Sequence, residues 1–230
     1  MKDNGLKYVI LVGDGMGDEP IAALGNRTPL AAAKTPAMDA LASQGQLYRL
    51  RTVPTGYPPG SDVANLSLLG YLPEECYSGR APLEAASMGV ALPEGATAFR
   101  CNLVTLARQG ELVRMVDYSA GHISTEEAGA LIEYLQQQLG NDLCHLYPGV
   151  SYRHLLVFRG NSEGLVTVPP HDHTGQLVTE YWQRYQSYPV LMELMARASE
   201  LLADHPVNQQ RRAAGKKPAN GIWLWGEGKS

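Results

Sequence analysis

The run KYVILV, Lys7 to Val12, leads straight into Gly-Asp-Gly. A short apolar segment with no polar alternation suits a strand buried on both faces, as in a parallel sheet, with a loop at its carboxyl end. That loop is Gly13-Asp14-Gly15-Met16-Gly17-Asp18. In open parallel sheets, ligands gather outside the carboxyl ends of the strands. Flanking glycines let backbone approach a ligand closely. A carboxylate such as Asp14 is there a good oxygen ligand for a hard or borderline divalent cation. A tight turn in which Asp14 caps the next segment fits the same residues. The spacing GDGMGD lacks GxGxxG, which argues against a dinucleotide fingerprint.

The next segments keep the α/β rhythm. Thr35 to Gln44 reads as a helix, with Thr35 as N-cap, Pro36 at the first helical position and Gly45 at its end. Gln46 to Val53 alternates like a strand, and Ser61 to Leu69 reads as a second helix. After Gly79 the pattern changes. A helix is expected over Ala81 to Met88, and strands over Ala98 to Thr105 and Leu112 to Asp117 around a turn at Gln109-Gly110. Ser124 to Leu139 is the clearest helix. Ser124 and Glu127 form a capping box, and Ala128, Leu131, Ile132, Leu135 and Leu139 follow helical spacing. Strands are expected over Tyr152 to Arg159 and Gly164 to Val168. Helices are expected over Val190 to Ala203 and Val207 to Ala214, then a final strand in GIWLWG, whose Trp223 and Trp225 read as core or cover. The organisation implied is a core segment (1–90), an insertion (91–180) and a return to the core (181–230).

Net charge narrows the partners. At -4, the charge argues against nucleic acid or an anionic membrane as the main partner. No apolar run approaches the ~20 residues of a membrane span. The polar N-terminus followed directly by a strand has no signal-peptide pattern. Three scattered cysteines, Cys76, Cys101 and Cys144, with no CxxC pair, fit a reducing cytoplasm and no disulfide framework.

Ser61 follows Pro58-Pro59-Gly60 and opens an apolar helix. Two readings stand side by side. A serine at a helix start is ordinarily a cap. The same place aims backbone amides and the positive end of the helix dipole at whatever lies in front, which suits a nucleophile that receives a phosphoryl group. A serine hydroxyl needs activation. No histidine-containing neighbourhood is evident, so a bound cation is the expected activator. In the insertion, Arg100, Asn102, Asp117, His122, His171, Asp172 and His173 form a polar set. Anion recognition is its best functional reading, because Arg pairs bidentately with carboxylate and phosphate. Solvated loop residues are the plainer alternative.

Taken in order, VGDGMGD, PTGYPPGSDVANLSLLGY, FRCNLVT, DYSAGHISTEEA, PPHDHTG and NGIWLWGEGK resemble the archaeal-type cofactor-independent phosphoglycerate mutases of the alkaline phosphatase superfamily. The resemblance implies a partial alkaline-phosphatase-like α/β core with an inserted α/β substrate domain. It implies interconversion of 3-phosphoglycerate and 2-phosphoglycerate, a small phosphorylated three-carbon acid, with divalent manganese, zinc or magnesium and without 2,3-bisphosphoglycerate. Asp14 matches a metal-binding aspartate. Ser61 matches the serine that is both metal ligand and phosphoryl acceptor. Arg100, Asn102, His122, His171 and Asp172 are the expected substrate contacts. His173 departs from the family's usual PPHDI. The family's remaining Asp and His ligands lie in a C-terminal part beyond this sequence, so the chain alone is expected to be inactive. A metal-dependent phosphohydrolase of the same superfamily and a non-catalytic fragment are the alternatives. A homoserine kinase would call for a P-loop, GxxxxGK[ST], which the sequence lacks.

Overall fold

A computed structural model of the chain describes residues 7–57 and 59–229; Pro58 of the expected Pro-Pro turn lies outside them. The chain divides into two compact units, Met1–Cys76 and Tyr77–Ser230.

Among its described residues the first unit carries four α-helices, α1 (Pro29–Ala32), α2 (Pro36–Gln44), α3 (Ser61–Leu68) and α4 (Pro73–Cys76), and a 3-10 turn at Ala22–Leu24. Proline opens α1 and α2, where its missing N–H costs nothing and its fixed φ suits the helix. Thr35 precedes α2, but its hydroxyl goes to Asp39 Oδ1 (3.1 Å) and caps no backbone amide. The expected strands at 7–12 and 46–53 are absent: both stretches are irregular and enter no ladder among the described residues. The physical reason is that a strand exists only through a hydrogen-bonded neighbour, and a parallel neighbour must come through a crossover connection. Without one, Tyr8, Val9 and Leu11 stay at least 86% exposed. The parallel sheet expected from KYVILV is therefore not present among the described residues.

The second unit is built on an antiparallel sheet. Its elements are α5 (Arg80–Ser87), β1 (Thr97–Gln109), β2 (Leu112–Asp117), α6 (Thr125–Leu139), β3 (Cys144–Tyr147), β4 (Arg153–Phe158), α7 (Thr179–Gln183), α8 (Pro189–Ala203), α9 (Pro206–Ala213) and β5 (Gly221–Lys229). The strand order is β2-β1-β4-β3, and β5 also pairs with β1. All four ladders are antiparallel. β1 is long enough to serve three partners, with β4 and β5 on either side of its first half and β2 beside its end. Gly110 closes the β1–β2 hairpin at φ 59°, which glycine adopts without penalty.

Alternation sorts β1 between two cores. Phe99, Cys101 and Leu103 join Leu131, Ile132 and Leu135 of α6 and Leu191, Met195 and Ala198 of α8. Ala98 joins Ala81 and Ala85 of α5 with Leu155 and Val157 of β4. The sheet thus lies between α5 and the α6–α8 layer. Ser124 and Glu127 form the capping box read from the sequence.

Two elements differ from expectation. Residues 164–168 form no strand. Side chains satisfy this backbone instead: the Thr167 N–H and hydroxyl both go to the Glu227 carboxylate, and the Val168 carbonyl accepts from Trp223 Nε1 (2.9 Å). β3, an edge strand of four residues, is too short for a periodicity signal and was not expected.

Candidate functional site

Asp14 and Ser61, 47 residues apart, meet in the first unit. The Ser61 hydroxyl donates to Asp14 Oδ2 at 3.3 Å. Gly60 is the N-cap of α3, in extended backbone, and makes no side-chain cap. Ser61 is therefore the first helical residue. Its hydroxyl turns away from capping, towards the carboxylate, and both side chains are exposed. Of the two readings of this serine, the cap is the one the structure removes.

A second cluster lies wholly within Tyr77–Ser230. It is a cleft of about 280 Å³ whose lining includes Arg80, Arg100, Arg153, Tyr118, Tyr152 and Trp225, together with Asn102 and His171. Strand register explains it. Arg100 of β1 pairs with Trp225 of β5, and Asn102 of β1 pairs with Arg153 of β4. Side chains facing each other across adjacent strands share a face, so three strands present these residues together. Arg80 is the first residue of α5. The Gly79 before it has φ 148°, and a Cβ there would lie 1.9 Å from the Glu227 carbonyl oxygen. Only glycine lets α5 start so close to β5.

Loops supply the rest. Tyr118 follows β2, and Tyr152 precedes β4; their rings meet edge to face at 5.4 Å. His122 is exposed, with its ring about 6 Å from both tyrosines. It ends a run of three left-handed residues, Ala120, Gly121 and His122, at φ 50°, 67° and 51°. His171 reaches the edge of Tyr118 and of Trp225. Its loop is fixed because the segment after it runs beside β2: Gly175 N–H donates to Met115 O, and Val178 N–H to Val113 O.

The cleft is strongly cationic. Arg100 is 4% exposed. Glu84 Oε2 stands 3.2 Å from its Nε, yet that N–H is buried without a hydrogen-bond partner. The contact is an ion pair, misaligned for a hydrogen bond. Burial pushes the Arg100 pKa below its ordinary value; Glu84 pulls it back, and Arg80 and Arg153 push it further down. An anion in the cleft would relieve that repulsion.

Of the expected substrate contacts, Arg100, Asn102 and His171 line the cleft and His122 borders it. Asp172 is exposed beside His171 at 3.6 Å and is not part of the lining. Asn102 is engaged at both ends of its amide: Oδ1 accepts from Trp225 Nε1 (3.0 Å), and Nδ2 donates to Tyr118 O (3.2 Å). The His173 ring lies 4.6 Å from that of Tyr181, tilted by 40°. Arg80, Arg153, Tyr118, Tyr152 and Trp225 were not singled out as site residues. Tyr118 sat inside the DYSAGH motif, and an i, i+2 pair at Arg100 and Asn102 already marked one strand face. The register that adds Trp225 and Arg153 is not readable from one strand. His154 supports the cleft from within β4: its Nδ1 accepts from Gly149 N–H (3.0 Å) in the loop leading to Tyr152, and burial lowers its pKa to about 3.

Asp14 and Ser61 suit a divalent cation chemically, as hard oxygen donors converging on one place. They are two donors, where tight sites use about four to eight. Among the described residues, no group of three or more His, Cys, Asp or Glu gathers to complete them.

Comparison with known proteins agrees on one family. The model of the 2,3-bisphosphoglycerate-independent phosphoglycerate mutases matches residues 42–208. A probable mutase of this kind from Geobacter sulfurreducens is 54% identical over 225 residues, 98% of this chain and 56% of that one. The Methanosarcina mazei mutase is 53% identical, over 97% of this chain and 55% of its own length. Among solved structures, the PH0037 protein from Pyrococcus horikoshii aligns with a TM-score of 0.66 at 31% identity, over 94% of this chain and 49% of that one. The cofactor-independent phosphoglycerate mutase from Thermoplasma acidophilum aligns with a TM-score of 0.51 at 28% identity, over 94% and 57%.

The fold is thus a mixed α/β arrangement shared with a solved cofactor-independent mutase. The chain belongs to the 2,3-bisphosphoglycerate-independent phosphoglycerate mutase family. It spans a little over half the length of the curated relatives it matches.

Proposed function

We propose that this chain takes part in interconverting 3-phosphoglycerate and 2-phosphoglycerate, with Ser61 as the transient phosphoryl acceptor. The observation that carries this reading is the Ser61 hydroxyl at the first position of α3, donating to Asp14 Oδ2. On this reading Ser61 Oγ attacks the phosphorus as the ester bond to one glycerate oxygen breaks. The other glycerate oxygen then takes the phosphoryl group back and frees the serine. Positioning and charge compensation are most of what such a transfer needs from a protein. Amides at the α3 start favour the anionic group. Asp14 orients the hydroxyl; the proton that Ser61 gives up passes to the released glycerate oxygen, and the glycerate hydroxyl that takes the phosphoryl group gives one back to the serine. A divalent ion, manganese, zinc or magnesium, held in part by Asp14 and Ser61, would neutralise phosphoryl charge and favour the ionised hydroxyl.

The arginine cleft is the proposed holder of the glycerate and phosphate anions through Arg80, Arg100 and Arg153, with His122 and His171 at its margin. Residues 1–90 then belong to the alkaline-phosphatase-like core and 91–180 to the substrate-holding insertion. Residues 181–230 return to the core on the same reading, with β5 hydrogen-bonded to β1. A cytoplasmic setting and independence from 2,3-bisphosphoglycerate belong to the same proposal. Among the described residues, no helix is long and apolar enough to cross a membrane.

Among the described residues only two metal donors gather, too few for a tight site, so the 230-residue chain alone is expected to be inactive. A chimera joining it to the remaining part of the Geobacter relative tests the assignment. 31P NMR of 3-phosphoglycerate with magnesium or zinc should show no product with the chain alone, conversion with the chimera, and none with chimeric Ser61→Ala. Full activity of that variant would refute Ser61 as acceptor. Release of inorganic phosphate in place of 2-phosphoglycerate would make the protein a phosphohydrolase.

A further inference from the structure

The geometry points to Trp225 as a positioning residue: fixed by Asn102, it holds the Arg80 and Arg100 guanidiniums ready for a phosphate monoester. This rests on the reading of the cleft as the site for the phosphorylated acid and adds how the cleft is kept competent. Trp225 touches four of the other lining residues. The Arg100 guanidinium lies 4.4 Å from its ring centre and that of Arg80 5.5 Å. His171 meets its edge at 5.5 Å. Its indole N–H donates to Asn102 Oδ1, and Asn102 Nδ2 donates to the Tyr118 carbonyl. The ring is 4% exposed, so its plane is set from both sides.

The physical problem here is to gather three guanidiniums with Glu84 as the one ion-paired carboxylate among the described residues. Carboxylates opposite each arginine would hold the cluster together but occupy the donors a ligand must use. An indole face attracts cations without accepting those hydrogen bonds. The buried, unpartnered Arg100 Nε–H is what such an arrangement leaves. Asn102, placed among substrate contacts by sequence, acts here through Trp225.

Calorimetric titration of the 230-residue chain with 3-phosphoglycerate, and separately with inorganic phosphate, tests this. Trp225→Leu should weaken both ligands roughly tenfold, and Trp225→Phe, which keeps a ring face, should recover most of that loss. Asn102→Ala removes the acceptor of the indole N–H and leaves the ring and all three arginines in place; it should weaken both ligands several-fold. A bystander role for Trp225 would leave the affinity of that variant unchanged. Asn102→Ala and Trp225→Phe decide the matter if Trp225→Leu does not fold. Wild-type binding of both ligands, with Asn102→Ala and any folded Trp225→Leu within twofold, would overturn the inference while leaving the proposed function standing. Trp225-dependent binding of inorganic phosphate without 3-phosphoglycerate would sustain the inference and count against the substrate. Binding of neither ligand would overturn both.

Discussion

Replacing Arg211 with methionine removes the support under the turn that presents His122. Arg211 is 2% exposed and donates three ways: Nη1 to Glu127 Oε2 (2.7 Å), Nε to Lys217 O (2.9 Å) and Nη2 to the Ala120 carbonyl. Ala120 begins the left-handed run, and two of its three members are not glycine. Each such residue stores about 1–2 kcal/mol, which the surroundings must offset. Hydrogen bonds to a charged group contribute about 1.5–3 kcal/mol each, and breaking a buried ion pair costs about 3–5 kcal/mol. Glu127 is partly open to water, with a side chain 29% exposed, so it recovers some hydration. Relaxation of the turn returns part of its strain. The net loss expected for Arg211→Met is about 3 kcal/mol, against about 1.5 kcal/mol for Arg211→Lys, which keeps one charge-assisted bond. Urea unfolding followed by far-UV circular dichroism measures it. For a chain of this size the melting temperature should fall by roughly 6–12 °C. A loss below about 1 kcal/mol for Arg211→Met would show that the turn does not depend on the clamp.

Acid should weaken the same region. Burial alone would raise the Asp117 pKa, but hydrogen bonds from Lys217, from Ser119 and from the Gly121 backbone outweigh it and hold the carboxyl well below the usual range. A folded-state pKa below the unfolded value means that the contribution is complete above about pH 4 and is lost as pH falls towards the folded pKa. Asp117→Asn should flatten the acid limb of a stability–pH curve, and an unchanged slope would refute the assignment. Hydrogen exchange should separate the two units. Amides of β1 and β4, between buried side chains, should exchange slowly, and those of residues 7–57, where almost nothing is buried, should exchange near the unprotected rate. Equal protection in both would contradict the burial argument.

Elements whose stability is local, or whose partner is close in sequence, were legible in the sequence. α6 carries its own cap and apolar stripe, and β1 and β2 are joined by a short hairpin. Residues 164–168 had strand-like composition, yet their backbone is satisfied by Glu227 and Trp223, some sixty residues away, which no window over that stretch can reveal. KYVILV shows the opposite case. Its composition states what it would do with neighbours, and no neighbour strand is present among the described residues. At the candidate site the chemistry-bearing types were readable at Asp14, Ser61 and Arg100. The division of labour between Asn102 and Trp225 depends on a hydrogen bond across two strands and was not.

The two candidate centres differ in charge, and that difference bears on mechanism. Among the described residues the cleft has three arginines and one ion-paired carboxylate, Glu84, a charge balance that would favour a phosphorylated acid. Ser61 is hydrogen-bonded to the Asp14 carboxylate, so its hydroxyl faces an acidic group. A unit negative charge about 4 Å from another loses roughly 4 kcal/mol at a surface-like dielectric, and a phosphoryl dianion loses more. The partial positive charge at the start of an eight-residue helix offsets about 1 kcal/mol of this. Arginine placed at Ser61 would bind phosphate but could not favour the ionised hydroxyl by coordinating it. Asp14 and Ser61 are instead the donor types for a divalent cation, which reverses the local sign and acts on the nucleophile directly. An acidic residue beside the proposed acceptor and basic residues in the proposed binding cleft therefore each suit one half of the proposed phosphoryl transfer: the cleft would hold the anion, and the acceptor would be unfavourable to it until a cation arrives.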